Sequence, residues 1–180
     1  IGYAITHLSM LVILAGSLLT ELAKVEGSLF IWEGEAASDV RGRPASPEAE
    51  PPVVAALPFA VRLDAFEIDY YEGTRRPAQF RSRVSVKDPA RGGETPAIIE
   101  MNRELAYGGY KFFQSSYQQT PGRDQTILAV SKDPGEPIVF LGYYTLVAGM
   151  IVVLVTRVRE RRRALQPAAA VALLALLAAA

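Results

Sequence analysis

The side chain best equipped for chemistry is His7, the sole histidine among 180 residues, set inside the uncharged run Ile1 to Thr20. A neutral imidazole can take up a proton, bind a metal ion or ligate a haem iron, in each case through a ring nitrogen that is not already occupied. A run of 20 uncharged residues at about 1.5 Å per residue gives roughly 30 Å of helix, the thickness of a hydrocarbon core, so it reads as a transmembrane helix. Imidazole in such a helix loses hydration unless something pairs with it, which makes it a functional-site candidate. The competing role is structural: so near a helix end, the ring can reach headgroups or hydrogen-bond a neighbouring helix. Spacing alone does not separate the two.

Other candidate chemistry is weaker. Asp64, Glu67 and Asp69 could be paired carboxylates for acid/base work, but their alternation puts Glu67 and Asp69 on one polar face, the pattern of a solvated surface. Tyr107, Tyr110, Phe112, Phe113 and Tyr117 could line a site for a flat ligand, although aromatics are common strand formers and usually pack as core. There is no cysteine, hence no disulfide and no CxxC redox pair. No GxSxG, HExxH or phosphate-binding loop occurs, which argues against a self-contained hydrolase or zinc enzyme.

The elements that must position His7 follow from hydropathy and charge. A second uncharged run spans Pro137 to Thr156 and a third spans Leu165 to Ala180. Between them Arg157, Arg159, Arg161, Arg162 and Arg163 are offset only by Glu160. Short arginine-dense segments stay in the cytoplasm, so the second helix is expected to run outward to inward and the first inward to outward. The segment Glu21 to Glu136 then faces outside, and its 14 basic and 18 acidic residues suit nucleic acid poorly. The missing initiator Met and the terminal alanines read as an excised piece of a longer polytopic protein.

Within the outer segment the pattern is that of short strands. Gly27 to Gly34, Phe59 to Tyr71, Phe80 to Val86, Ala97 to Asn102, Tyr107 to Tyr117 and Thr126 to Ser131 carry alternating or β-favouring residues between turn signals. A phase shift near Ala65 predicts a bulge. Ala36 to Pro52, rich in Pro, Ala, Ser and Glu, reads as a mobile loop. Trp32 is expected near the membrane surface. The predicted class is an α+β membrane protein, with two to three transmembrane helices flanking an extracytoplasmic antiparallel β domain of sandwich or barrel type. The boundaries are a transmembrane helix at 1–23, the β domain at 24–136, a second transmembrane helix at 137–156, a cytoplasmic basic loop at 157–164, and the start of a further, truncated transmembrane helix at 165–180.

Three stretches in order, HLSMLVILAGSLL from His7, LPFAVRLDAFEIDYYEGTRRPAQFRSRVSV from Leu57, and MNRELAYGGYKFFQSSYQ from Met101 with DPGEPIVFLGYY from Asp133, resemble the ResB (CcsB) family of cytochrome c biogenesis proteins. The resemblance implies a multi-pass protein of the bacterial inner membrane with residues 24–136 on the extracytoplasmic side. It implies a CcsA/ResC-type membrane subunit as partner, haem as the group moved across the bilayer, and apocytochrome c as its recipient. The family's membrane-helix histidine matches His7, implying a haem iron axial ligand. Two axial imidazoles need two histidines and this chain has one, so the second ligand is expected from outside it. Family members normally carry further helices before the histidine helix, and many have a larger outer domain. The run after Arg163 is either the start of a fused partner module or another helix of the same subunit. On this reading the chain is at most part of a haem-attachment complex. The alternative class is a non-catalytic, membrane-anchored partner-binding or sensory protein in which His7 is structural.

Overall fold

The structure is a computed structural model that describes residues 1–46 and 48–178, with side chains described as far as Arg163, Pro47 excepted. It folds as two units, Ile1–Ala23 with Pro134–Ala180, and Lys24–Asp133.

The first unit is a pair of helices, α1 (Gly2–Ala23) and α2 (Glu136–Ala178). Among the described residues Gly2–Ala23 and Glu136–Arg163 are long and apolar enough to cross a membrane. The helices pack antiparallel along a seam of small residues that recur every seven positions: Gly2, Ser9 and Gly16 on α1, and Gly135, Gly142 and Gly149 along α2 and its cap. Seven residues is close to two helical turns, so each set stays on one face. The backbones come close. A β-carbon at Gly142 would lie 2.5 Å from Ile13 Cγ1 and 3.0 Å from its backbone nitrogen, and one at Gly149 would lie 2.8 Å from Thr6 Cγ2. Thr6 and Ser9, buried in the seam, return their hydroxyls to the carbonyls of Tyr3 and Thr6 at 2.8 and 2.7 Å. Leu8, Met10, Leu11, Leu14, Leu18 and Leu22 are exposed.

One expectation fails here. Residues 157–164 are not a loop: α2 runs unbroken through the arginines, as good helix formers without an intervening glycine allow. The side chains of the third apolar run lie outside the described residues.

The second unit has eight strands: β1 (Val25–Trp32), β2 (Ala36–Arg41), β3 (Val53–Tyr70), β4 (Pro77–Lys87), β5 (Glu94–Glu100), β6 (Leu105–Tyr107), β7 (Tyr110–Thr120) and β8 (Arg123–Lys132). They form one antiparallel sheet in the order β5-β4-β3-β2-β1-β8-β7-β6. The sheet curls until edge strand β5 lies beside β6 and β7, so of the two expected architectures it is the barrel, nearly closed. Closure removes exposed edges, the usual aggregation liability of an open sheet. The chain enters on β1 and leaves on its neighbour β8, with Val25 opposite Lys132.

Two bulges keep the alternation in phase with the core. On β3, Leu57, Phe59, Val61 and Leu63 face inward; the register then slips between Leu63 and Ala65, where a phase shift was expected, and Phe66 becomes the inward residue. On β7, Tyr110 and Phe112 face inward, and a slip between Gln114 and Ser116 lets the odd-numbered Tyr117 stack on Phe66 at 5.3 Å between ring centroids. Phe59 meets Tyr107, Tyr110 and Phe112 edge-on at 4.9, 6.0 and 6.1 Å. The two-residue β6–β7 turn needs Gly108 and Gly109 at φ +60° and +81°, and a side chain on Gly108 would collide with Phe59, which is why the hairpin reads Tyr-Gly-Gly-Tyr. Inside the barrel Ser82 bonds Gln114 Oε1 at 2.6 Å and shares a 2.9 Å bond with Thr126, so strands that are not neighbours are tied through the interior.

Two further readings are corrected. Ala36 to Arg41 is strand β2 rather than loop, because Val40 fills a core position with no exposure. Phe113 points outward and is 40% exposed, the consequence of sitting next to the inward Phe112 on a pleated strand. Trp32 ends β1 opposite Gln125, and its ring is covered by the Arg123 guanidinium at 4.7 Å.

Candidate functional site

His7 sits on the second turn of α1 with its ring exposed. Its Nδ1 lies 2.7 Å from the Tyr3 carbonyl oxygen one turn earlier. A carbonyl oxygen only accepts, so Nδ1 carries the proton, and in the neutral ring Nε2 is the nitrogen with a lone pair. A backbone carbonyl that fixes the tautomer in this way is the usual outer partner of a metal-binding imidazole. Nε2 makes no hydrogen bond among the described residues.

The ring lines a groove of about 510 Å³ between the helices, formed by Tyr3, Thr6 and Met10 of α1 and by Leu146, Met150, Val153, Leu154 and Arg157 of α2. Both sets follow helical spacing, three to four residues apart, so the groove is one flank of the seam. Its walls are apolar apart from His7 and its Arg157 end, where the guanidinium Nη2 donates to the Tyr3 hydroxyl at 2.9 Å. Tyr3 therefore engages both the imidazole and the guanidinium: its carbonyl orients His7 and its hydroxyl accepts from Arg157. Among the described residues no three His, Cys, Asp or Glu side chains converge to cage a metal ion. A metal bound in this groove would find one protein nitrogen there, that of His7. The donor set suits an iron porphyrin: one imidazole nitrogen, flexible thioether and aliphatic walls, and a cation at one end.

Met10 lines the groove, whereas the exposed Leu8, Leu11 and Leu14 of α1 do not. The α2 wall, and Arg157 as more than a charge marker, were not apparent from the sequence. The signal that could have revealed them is the seven-residue glycine spacing shared by both helices, which sets their register.

The barrel carboxylates form ion pairs on its outer face. Arg81 reaches Glu100 at 2.8 Å, Glu67 at 3.1 Å and Asp69 at 3.4 Å, and Arg83 reaches Glu67 at 2.9 Å. Hydrogen bonds from Arg81 and Arg83 hold the Glu67 carboxyl below the usual carboxylate range, the opposite of what a general acid at neutral pH requires. Asp64 accepts from Arg62 at 2.7 Å and from the Ser85 hydroxyl at 2.5 Å. Burial, and then the hydrogen bond to Asp88, raise the Tyr107 phenol. A broader depression of about 850 Å³ over the outer faces of β1 and β8, which includes Phe113, mixes Glu26 with Arg41 and Arg43 and brings no catalytic set together.

The model of the ResB-like family matches residues 1–128. Protein NrfI of Wolinella succinogenes is 42% identical over 95 residues, 53% of this chain and 10% of that protein. Cytochrome c biogenesis protein CcsB of Thermosynechococcus vestitus is 32% identical over 118 residues, 65% of this chain and 25% of that protein. The chain thus corresponds to a small part of these curated relatives. With a family match running from the His7 helix to the last strand of the barrel, the chain belongs to the ResB-like family.

Proposed function

We propose that this chain is a haem-handling membrane subunit of cytochrome c maturation, with His7 as an axial ligand of the haem iron. The observation that carries the reading is the 2.7 Å contact in which the Tyr3 carbonyl accepts from Nδ1–H, which leaves the Nε2 lone pair open in an apolar groove. Haem supplies the iron and the macrocycle; the chain supplies one nitrogen, two methionine side chains and a dry wall. A second ligand would come from outside this chain, for instance from a CcsA/ResC-type partner subunit. The arginines of α2 set the orientation by the positive-inside rule, which places the barrel outside. His7 lies 13 residues before Thr20, about 20 Å along the helix and so in the inner half of the bilayer, suited to haem arriving from the cytoplasm. The outer barrel, with neither histidine nor cysteine, contributes a surface for the apocytochrome or the partner rather than thiol or haem chemistry.

The test is the absorption spectrum of the full-length protein purified with its partner. His7→Ala is expected to lower co-purified haem and cytochrome c maturation, and added imidazole is expected to restore both in part by filling the vacated position. A variant with unchanged haem content and an unchanged Soret band returns His7 to a structural role.

A further inference from the structure

We propose that Arg157, engaged by the Tyr3 hydroxyl at one end of the His7 groove, is the anchor for a porphyrin side-chain carboxylate, so that the groove selects porphyrins with free acid groups. This rests on the reading of the groove as a haem site and adds a specificity element to it.

Arg157 differs from its neighbours in what it touches. Four further arginines crowd the same stretch of α2, and orientation by positive charge needs none of them in particular. Arg157 is the one that lines the groove. Its Nη2 donates to the Tyr3 hydroxyl, and among the described residues it has no carboxylate partner. A guanidinium offers five N–H donors in a planar fork; a single phenol oxygen leaves most of them for another acceptor. A cation on an apolar wall without a counter-charge favours an anionic group, and a carboxylate matches the fork in two-point geometry.

The spacing on α1 supports one ligand meeting both polar groups. Tyr3 and His7 are four residues apart, about 6 Å along the helix axis, and Tyr3 contacts both Arg157 and the imidazole. An elongated, flat amphiphile lying along the groove meets the imidazole nitrogen, then the apolar walls of Met150, Val153 and Leu154, then the guanidinium, with Met10 one turn beyond the imidazole. Haem is such a molecule, with its metal at the centre and its carboxylates on one edge.

The experiment uses the full-length protein with its partner in detergent, titrated with haem and with haem dimethyl ester, in which both carboxylates are blocked; Soret absorbance reads occupancy. The unsubstituted protein is expected to favour the free acid by about tenfold or more, the scale of one charge-assisted hydrogen bond over its neutral counterpart. Arg157→Gln is expected to bind both forms alike, and Arg157→Lys to keep part of the preference, as a cation without the fork. An unchanged acid-to-ester ratio in Arg157→Gln overturns the anchor. If haem binds through His7 but acid and ester bind equally well to the unsubstituted protein, the anchor fails and the haem reading stands. If His7→Ala leaves the binding of both forms unchanged, both fail. Loss of co-purified phosphatidylglycerol in Arg157→Gln with an unaltered acid-to-ester ratio overturns the proposal in favour of an anionic lipid headgroup.

Discussion

Two adjacent residues of β7 offer the sharpest test of the barrel. Phe112 has no exposure and packs edge-on against Phe59, whereas Phe113 is 40% exposed on the outer face. A fully buried phenylalanine takes roughly 150–250 Å² out of water. At about 25 cal/mol per Å² that is roughly 4–6 kcal/mol, of which alanine retains a minor part. Cavity formation adds to the loss, and buried Phe→Ala changes cost about 3–5 kcal/mol. Phe112→Ala is therefore expected to lose that amount and Phe113→Ala about 1 kcal/mol or less. For a domain near 100 residues, 1 kcal/mol moves Tm by about 4–8 °C, so the first variant should melt at least about 12 °C lower. Trp32, the single tryptophan, lies in β1, so its fluorescence during a thermal melt of the full chain in detergent reports on the barrel rather than on the helices. Equal shifts in the two variants, or a larger one for Phe113→Ala, would mean that the register of β7 and its bulge are wrong.

The other predictions concern the ion pairs and the helix seam. Glu67 is held below its ordinary value by Arg81 and Arg83, and Glu94 by Lys87; a depressed folded-state value gives stability that is present above the unfolded value of about 4.3 and lost as pH falls through the folded one. The barrel should thus hold its Tm from neutrality to about pH 5 and lose it below about pH 4, and Glu67→Gln should flatten that acid limb in melts recorded across the range. In the seam, Gly149→Leu forces a side chain against Thr6, which a β-carbon alone would approach to 2.8 Å. That variant is expected to lower haem retention without touching His7, while Leu22→Ala, on an exposed position of α1, should leave it unchanged in the same spectral assay.

The strands were legible where alternation was strong. Phe59 to Ile68 announced both its inner face and its bulge, since a period of two keeps its phase along a regular strand and loses it where one extra residue enters the ladder. β2 was hidden because Ala36-Ala37-Ser38-Asp39 carries no hydrophobic alternation, and Val40 is its one large side chain in the core; its pairing with β3 makes it a strand, not its own composition. Phe112 and Phe113 could not be told apart from an aromatic cluster alone, because which of two neighbours faces inward depends on register. The arginines after Thr156 looked like a loop since charge interrupts an apolar run, yet charge does not interrupt helical hydrogen bonding. His7 was conspicuous as the only histidine, but the groove around it was not, because half of it comes from a helix about 140 residues away in sequence.

That last point ties the seam to the site. Gly149 faces Thr6 and Gly142 faces Ile13, contacts that fix which residues of α2 stand opposite His7. Small residues let two helices approach closely without any hydrophobic force between them, through packing alone. A slide of one helix by a single residue would replace each glycine contact by a larger side chain, so the seam admits one register well and its neighbours poorly. The same register sets Met150, Val153 and Arg157 along the flank that holds Tyr3, His7 and Met10. The groove beside His7 is thus set by small residues seven positions apart on both helices.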